Sequence, residues 1–202
     1  MIKKDIIIYY PSFEKGGATI NLINFANLSS KRNNVYLISN INNKDKRNFF
    51  SKQINLYKIS NFSFKLISNR LITSLLSIYN MIKIFNKIGS KNSIIVSFQS
   101  HIVSIFICKI FGRKIIIRNS EDVLGATKYA DYKIFAYLVM FLKTIFYFLS
   151  DAIITNSKKA KNSLQKITFY KKKIDLIYNP YLIKIKKIKS KKRKNIILSV
   201  GR

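Results

Sequence analysis

Hydrophobic positions along this chain fall into two kinds of run, short and continuous or longer and periodic, and the two kinds alternate. The short runs are Ile6–Tyr10, Asn34–Ser39, Ile54–Tyr57, Ser93–Phe98, Lys114–Ile117, Asp151–Thr155 and Ile174–Tyr178. Their length and their wealth of β-branched side chains predict buried strands. Between them, apolar residues recur at helical spacing over Thr19–Leu28, Ser63–Lys87, His101–Phe111, Ala130–Leu149 and from Ser157 to about Ile167. Gly89 and Gly112 read as helix-ending residues and Ser157 as an N-cap. Asn42–Arg47 and Arg118–Thr127 read as polar loops.

Strands that are continuously apolar need cover on both faces, and strands alternating with helices pair in parallel. The predicted fold is therefore α/β, a doubly wound Rossmann-like parallel sheet. Ligands of such sheets lie beyond the carboxyl ends of the strands. The polar residues predicted there are Phe13–Ala18, Gln99–His101, Arg118–Asp122 and the pair Asn156 and Ser157. Within the first group, Gly16 and Gly17 stand at the mouth of a helix. Glycines admit a close backbone approach, and free N–H groups at a helix start suit a phosphate. The same pair would also serve as a plain turn.

Charge changes this picture. The chain has 202 residues, with 38 Lys and Arg against 8 Asp and Glu, a formal net charge of +30. The abundance of Lys, Ile, Asn, Phe and Tyr matches an AT-rich coding bias, which leaves the scarcity of acids unexplained. An anionic membrane, nucleic acid or a polyanionic substrate would each reward that balance. Nucleic acid is the weaker of these, since the aromatics sit at core spacing and no recognition motif stands out. The one cysteine, Cys108, has no partner for an internal disulfide, which fits a reducing compartment. The first residues enter a strand of about five apolar positions, shorter than a signal-peptide core.

Three placements are open for Tyr132–Leu149, whose only charges are Lys133 and Lys143. It fits a buried helix of the fold, a helix lying in a lipid interface, or a minimal membrane span in which Lys143 would be costly. His101, the only histidine, fits a polar wall residue or an acceptor contact. Glu121 and Asp122 fit helix N-terminal charge or hydroxyl binding. Neither has a visible acidic partner, so a two-carboxylate glycosidase is unsupported.

Six segments in order resemble one family: Phe13–Ala18 with Leu22, Phe25 and Ala26; Val96–His101; Ile116–Glu121; Ser150–Ser157; Ile177–Pro180; and Ile197–Arg202. They are similar to motifs of the N-terminal domain of glycosyltransferase family 4, retaining enzymes of GT-B architecture. The resemblance implies an acceptor-side domain over 1–182, a basic linker over 183–194, and at 195–202 the first strand of a C-terminal donor-binding domain otherwise missing. It implies transfer of a sugar from a nucleotide-diphosphate-sugar to a cell-envelope glycan or lipid-linked acceptor, in lipopolysaccharide, capsule or related polysaccharide synthesis. The enzyme would be peripheral at the cytoplasmic face of the cell membrane. The family's catalytic glutamates belong to the C-terminal half, so no catalytic residue is assigned and the chain alone is expected to be inactive. Gly16, Gly17 and Ala18 would meet the donor diphosphate or the acceptor. Gln99, His101, Arg118, Asn119, Glu121, Asp122, Asn156 and Ser157 would line the acceptor side. No metal and no cofactor beyond the sugar nucleotide are expected. Arg118-Asn119-Ser120 stands where many members carry a histidine, and Ala18-Thr19 where relatives often have a glutamate. An inactive fragment, or a basic polyanion-binding module without catalysis, is the alternative reading.

Overall fold

Consecutive residues of the first strand, β1 (Asp5–Tyr9), enter two different cores. Side chains alternate across a pleated strand, so a run of isoleucines is buried only if both faces are covered. The computed structural model describes residues 3–14, 16–41, 44–59, 69–89 and 93–179. Six further strands complete the sheet: β2 (Asn34–Ser39), β3 (Asn55–Lys58), β4 (Ser93–Ser97), β5 (Lys114–Asn119), β6 (Ala152–Thr155) and β7 (Ile174–Leu176). Their order is β3-β2-β1-β4-β5-β6-β7, and every neighbouring pair is parallel.

The helices are α1 (Gly17–Ser30), α2 (Lys44–Arg47), α3 (Asn69–Lys87), α4 (His101–Ile110), α5 (Val123–Lys128), α6 (Lys133–Leu149) and α7 (Lys158–Ile167). Ile7 and Tyr9 pack with Ile95, Ile115 and Ile153 against Met81, Ile84, Ile105, Tyr147 and Leu164 of α3, α4, α6 and α7. Ile8 and Tyr10 pack with Val35, Leu37 and Val96 against Leu22 and Ala26 of α1. Each such aliphatic side chain contributes about 1.5–3 kcal/mol on burial. The doubly wound parallel sheet is thus as the sequence predicts.

The chain runs outward from β1 to β3, then crosses back to β4 on the other side of β1. Loops leaving β1 and β4 consequently diverge, which opens a crevice at the carboxyl edge between them.

Local departures from the sequence reading have physical causes. Lys44–Arg47 forms one helical turn inside the predicted loop. β5 continues through Arg118 and Asn119, which pair with Ile154 and Thr155, so these two are strand and not loop. The rest of that predicted loop contains α5, capped by the Asp122 carboxylate accepting from the Gly125 amide at 3.1 Å. Gly89 does not take the left-handed backbone of a C-terminal cap, whereas Gly112 does, at φ 60°. Instead α3 is closed by the buried Arg113, which donates to the Phe85 and Ile88 carbonyls at 2.6 and 2.7 Å and to Ser93 Oγ at 3.0 Å.

The predicted helix over 130–149 begins at Lys133, and only Tyr147 of α6 is buried, so it touches the core along one edge and is not the mostly buried helix that its apolar sequence allows. Among the described residues no helix is long and apolar enough to cross a membrane. The predicted helix start at 63–68, Lys15, Pro180, the basic linker over 183–194 and the strand at 195–202 lie outside the described residues.

Candidate functional site

The β1–β4 crevice holds a cavity of about 630 Å³. Tyr10 and Glu14 reach it from the loop after β1, Ala18 from the first turn of α1, Phe98 to Val103 from the end of β4 and the start of α4, and Asn119 to Glu121 from the end of β5 and the residues after it. Ser74 of α3 and Val139, Lys143 and Tyr147 of α6 close it from the helix layer. Sequence position thus brings Ala18, Gln99, His101, Asn119 and Glu121 together.

Two helices begin at this cavity. At the start of α1, the amides of Thr19 and Ile20 are taken by the Gly16 carbonyl, at 3.1 and 3.3 Å. The amides of Gly17 and Ala18 have no carbonyl within the helix to bond, the usual condition of a first turn. A Cβ built at Gly17 would meet nothing within 4 Å. The preceding loop is held in place: Thr19 Oγ1 donates to the Glu14 carbonyl and lies 3.0 Å from Tyr10 Oη, and the Ser12 amide donates to Gln99 Oε1 at 2.9 Å. Gln99 therefore fastens the β1 loop to the β4 loop. At the start of α4, Ser100 takes a left-handed backbone, φ 51° and ψ 46°. That conformation is uncommon and costly for a residue with a side chain. Ser100 is held there by a hydroxyl contact of 2.6 Å with Ser74. Both helix starts direct partial positive charge at one space.

His101 forms the wall. Its Nδ1 lies 2.9 Å from Ser97 Oγ, which accepts from Ser104 Oγ at 2.9 Å. The imidazole edge meets the Tyr147 ring at a centroid distance of 5.9 Å. Burial first, and the Lys143 charge second, hold the imidazole down to about 3, so it is neutral at pH 7. With Nδ1 engaged, Nε2 is the ring nitrogen left for a ligand. Asn119, almost fully buried, is spent on the protein: Nδ2 donates to the Glu121 carbonyl at 2.6 Å and Oδ1 accepts from Tyr147 Oη at 3.4 Å. Burial also raises the Tyr147 phenol, which stays protonated as that donor. The Glu121 carboxylate pairs with Lys143 at 2.5 Å, which explains a lone lysine inside an apolar helix.

Other predicted site residues lie away from the cavity lining. Gly16, the N-cap position of α1, and Gly17, its first residue, stand beside the cavity without lining it. Arg118 stacks its guanidinium over Phe98 at 5.2 Å and donates to Asn179 Oδ1, and burial lowers its proton affinity. Asp122 caps α5 and pairs with Lys159 at 3.2 Å; the Gly125 amide, above all, holds its carboxyl below the usual range. Ser157 Oγ caps α7 by accepting from the Ala160 amide at 3.2 Å. Asn156 Oδ1 is buried with no hydrogen-bond partner among the described residues. Sequence reasoning missed Ser74, Lys143 and Tyr147, because helices placed over a crevice by packing cannot be seen in strand ends. The isolated charge of Lys143 was the one available signal. Among the described residues no group of three His, Cys, Asp or Glu side chains could hold a metal ion.

No protein-family model matches the sequence, and no curated protein matches it. Solved structures do. The chain is similar to Anabaena HepE in complex with UDP and glucose, with a TM-score of 0.60 and 14% identity over 87% of this chain and 44% of that one. It is similar to a UDP-glucosyltransferase from Polygonum tinctorium capable of glucosylating indoxyl, at 0.60 and 12% over 86% and 52%. Sucrose-phosphate synthase from Thermosynechococcus elongatus gives 0.64 and 13% over 87% and 48%. At such identities the likeness is one of fold. The chain spans about half the length of the structures it matches.

Proposed function

We propose that this chain is the acceptor-side half of a retaining GT-B glycosyltransferase, of the family 4 type, that takes its sugar from a nucleotide-diphosphate donor. The observation carrying the proposal is the cavity at the strand-order reversal, into which α1 and α4 both begin. Its volume is that of a small-ligand site. Cleaving a sugar from a nucleoside diphosphate builds negative charge on the departing phosphate, and fixed N–H donors lower the barrier where that charge grows. The Gly17 and Ala18 amides at the start of α1 would supply them. An acceptor sugar would meet His101 Nε2 and the Glu121–Lys143 pair on the other wall, where neutral and charged hydrogen-bonding groups stand side by side. In this reading the donor nucleoside is held by a second domain. The order of the six sequence segments supports the family, retention and a cell-envelope or lipid-linked acceptor. The net charge of +30 supports work at the inner face of the cell membrane.

Gly17→Asp tests the proposal. An acid in the first turn favours the helix dipole, and the space around Gly17 is open, so the fold should keep its thermal midpoint. The new carboxylate would repel a phosphate at the same place. UDP binding at millimolar concentration, read by ligand-observed saturation transfer, is expected to weaken about tenfold or more, since lost charge-assisted contacts are worth that much. Unchanged UDP binding in a folded variant would refute the assignment.

A further inference from the structure

The side of α6 turned away from the cavity has no partner among the described residues. Ile134, Leu138, Phe141 and Ile145, spaced by four, three and four positions, are 89, 52, 60 and 45% exposed. Phe106 of α4, half exposed and edge-on to Phe146 of α6 at 6.2 Å, broadens that surface. Soluble monomers rarely leave so continuous an apolar strip uncovered, and such strips mark contact with protein or membrane.

The charges around the strip select the occupant. At its N-terminal end stand the exposed Tyr129 and Tyr132, with Lys128 and Lys133. At its C-terminal end, Lys172 donates to the Phe148 carbonyl at 3.0 Å and to that of Ser150, which ties the loop of Phe169 to Lys173 to the helix. In that loop Phe169 and Tyr170 are exposed and held at φ 49° and 57°, a strained backbone for bulky residues. A second copy on this face would set lysines against lysines. Of the neighbouring acids, Glu121 pairs with Lys143, Asp122 with Lys159 and Asp151 with Lys109, and the exposed Asp131 is outnumbered by Lys128 and Lys133 beside it. An anionic bilayer meets every demand at once: hydrocarbon for the strip, headgroups for the lysines, and a boundary for amphipathic tyrosines.

We infer that α6 lies in the surface of an anionic membrane with Ile134, Leu138, Phe141 and Ile145 in the acyl boundary. Val139, Lys143 and Tyr147 of the same helix line the cavity, so docking sets that cavity close to the lipid surface. Docking needs only the strip and its lysines; its use in presenting a lipid-linked acceptor rests on the proposed transfer reaction.

Co-sedimentation of the full chain with vesicles of phosphatidylglycerol and phosphatidylcholine, against phosphatidylcholine alone, tests this. The native chain is expected to favour the anionic vesicles by about tenfold or more. Leu138→Asp with Phe141→Asp, both at exposed positions, should lose about tenfold or more of that binding with an unchanged thermal midpoint. Lys31→Ala with Lys52→Ala makes the same change in net charge at exposed positions outside α6 and its flanking loops, and should bind like the native chain. Native-like binding by the aspartate pair would overturn the inference, as would equal loss in the alanine pair. A native dimer that the aspartate pair dissociates in sedimentation velocity would assign the face to a second copy and overturn it too. UDP binding at Gly17 reads out separately, so a failure of docking and a failure of the transfer reading are told apart.

Discussion

Replacing Arg113 with alanine is expected to destabilise the chain by about 3–5 kcal/mol, the range for stripping a buried group from several partners at once. The guanidinium is buried and its hydrogen bonds end on the Phe85 and Ile88 carbonyls, among the last of α3 and the turn beyond it. The last carbonyls of a helix have no partner within it, so losing Arg113 strips these two of the donor that satisfies them out of reach of water. The side chain also covers the Phe85 ring at 5.0 Å, and its removal opens a void there. Arg113→Lys should recover less than half of the loss, because an ammonium cannot reproduce a planar fork. Urea unfolding of the three proteins measures this. A loss below about 1 kcal/mol for the alanine variant, the net worth of a single ordinary hydrogen bond, would mean that the end of α3 is hydrated and the account of its termination is wrong.

Mild acid should destabilise the native chain through His101. In the unfolded chain its imidazole has the ordinary value of 6.5, whereas in the fold burial and the Lys143 charge hold it down to about 3. Above 6.5 both states are neutral and the group contributes nothing. Between 6.5 and 3 the unfolded chain binds a proton that the folded chain refuses, so stability falls as pH falls. The slope is at most about 1.4 kcal/mol per pH unit. From pH 7 to pH 5 the native chain should lose about 2 kcal/mol, and His101→Asn, which keeps a polar group near Ser97, less than about 0.5 kcal/mol. Because His101 is the only histidine and the Asp122 and Asp151 carboxyls are held below their ordinary range, this window belongs to His101. Denaturant unfolding at the two pH values decides it: equal losses in both proteins would show that the imidazole is protonated in the fold.

The sheet could be read from the chain because strands such as Ile6–Tyr10 have to be apolar on both faces, and a continuous isoleucine run has few other uses. The end of β5 could not. Arg118 and Asn119 look like loop residues, yet strand pairing engages the backbone whatever the side chain, and Arg118 finds a ring to cover in Phe98. Short helices such as α5 escape because six residues carry too little periodicity; only the Asp122 cap marks it. At the site, strand-end position was enough to find Gln99, His101 and Glu121. It could not separate Asp122 and Ser157, which cap helices, from residues that face the cavity. It also gave no view of which side of α6 is bare, since helices over a sheet and helices on a membrane share an apolar composition. Only the packing of α6 on α4 and α5 shows that Tyr147 faces inward and Phe141 outward.

The central claim is that the crevice between β1 and β4 is where a sugar nucleotide meets this chain. An amide-resolved nitrogen–proton correlation spectrum, recorded while UDP-glucose is titrated to millimolar concentration, tests it directly. The account predicts that the first and largest shifts fall on the amides of Gly16, Gly17 and Ala18, and with them Gln99, Ser100 and His101. Shifts spread over the surface lysines, or gathered around Asp122 and Lys159 while the α1 start stays silent, would contradict it.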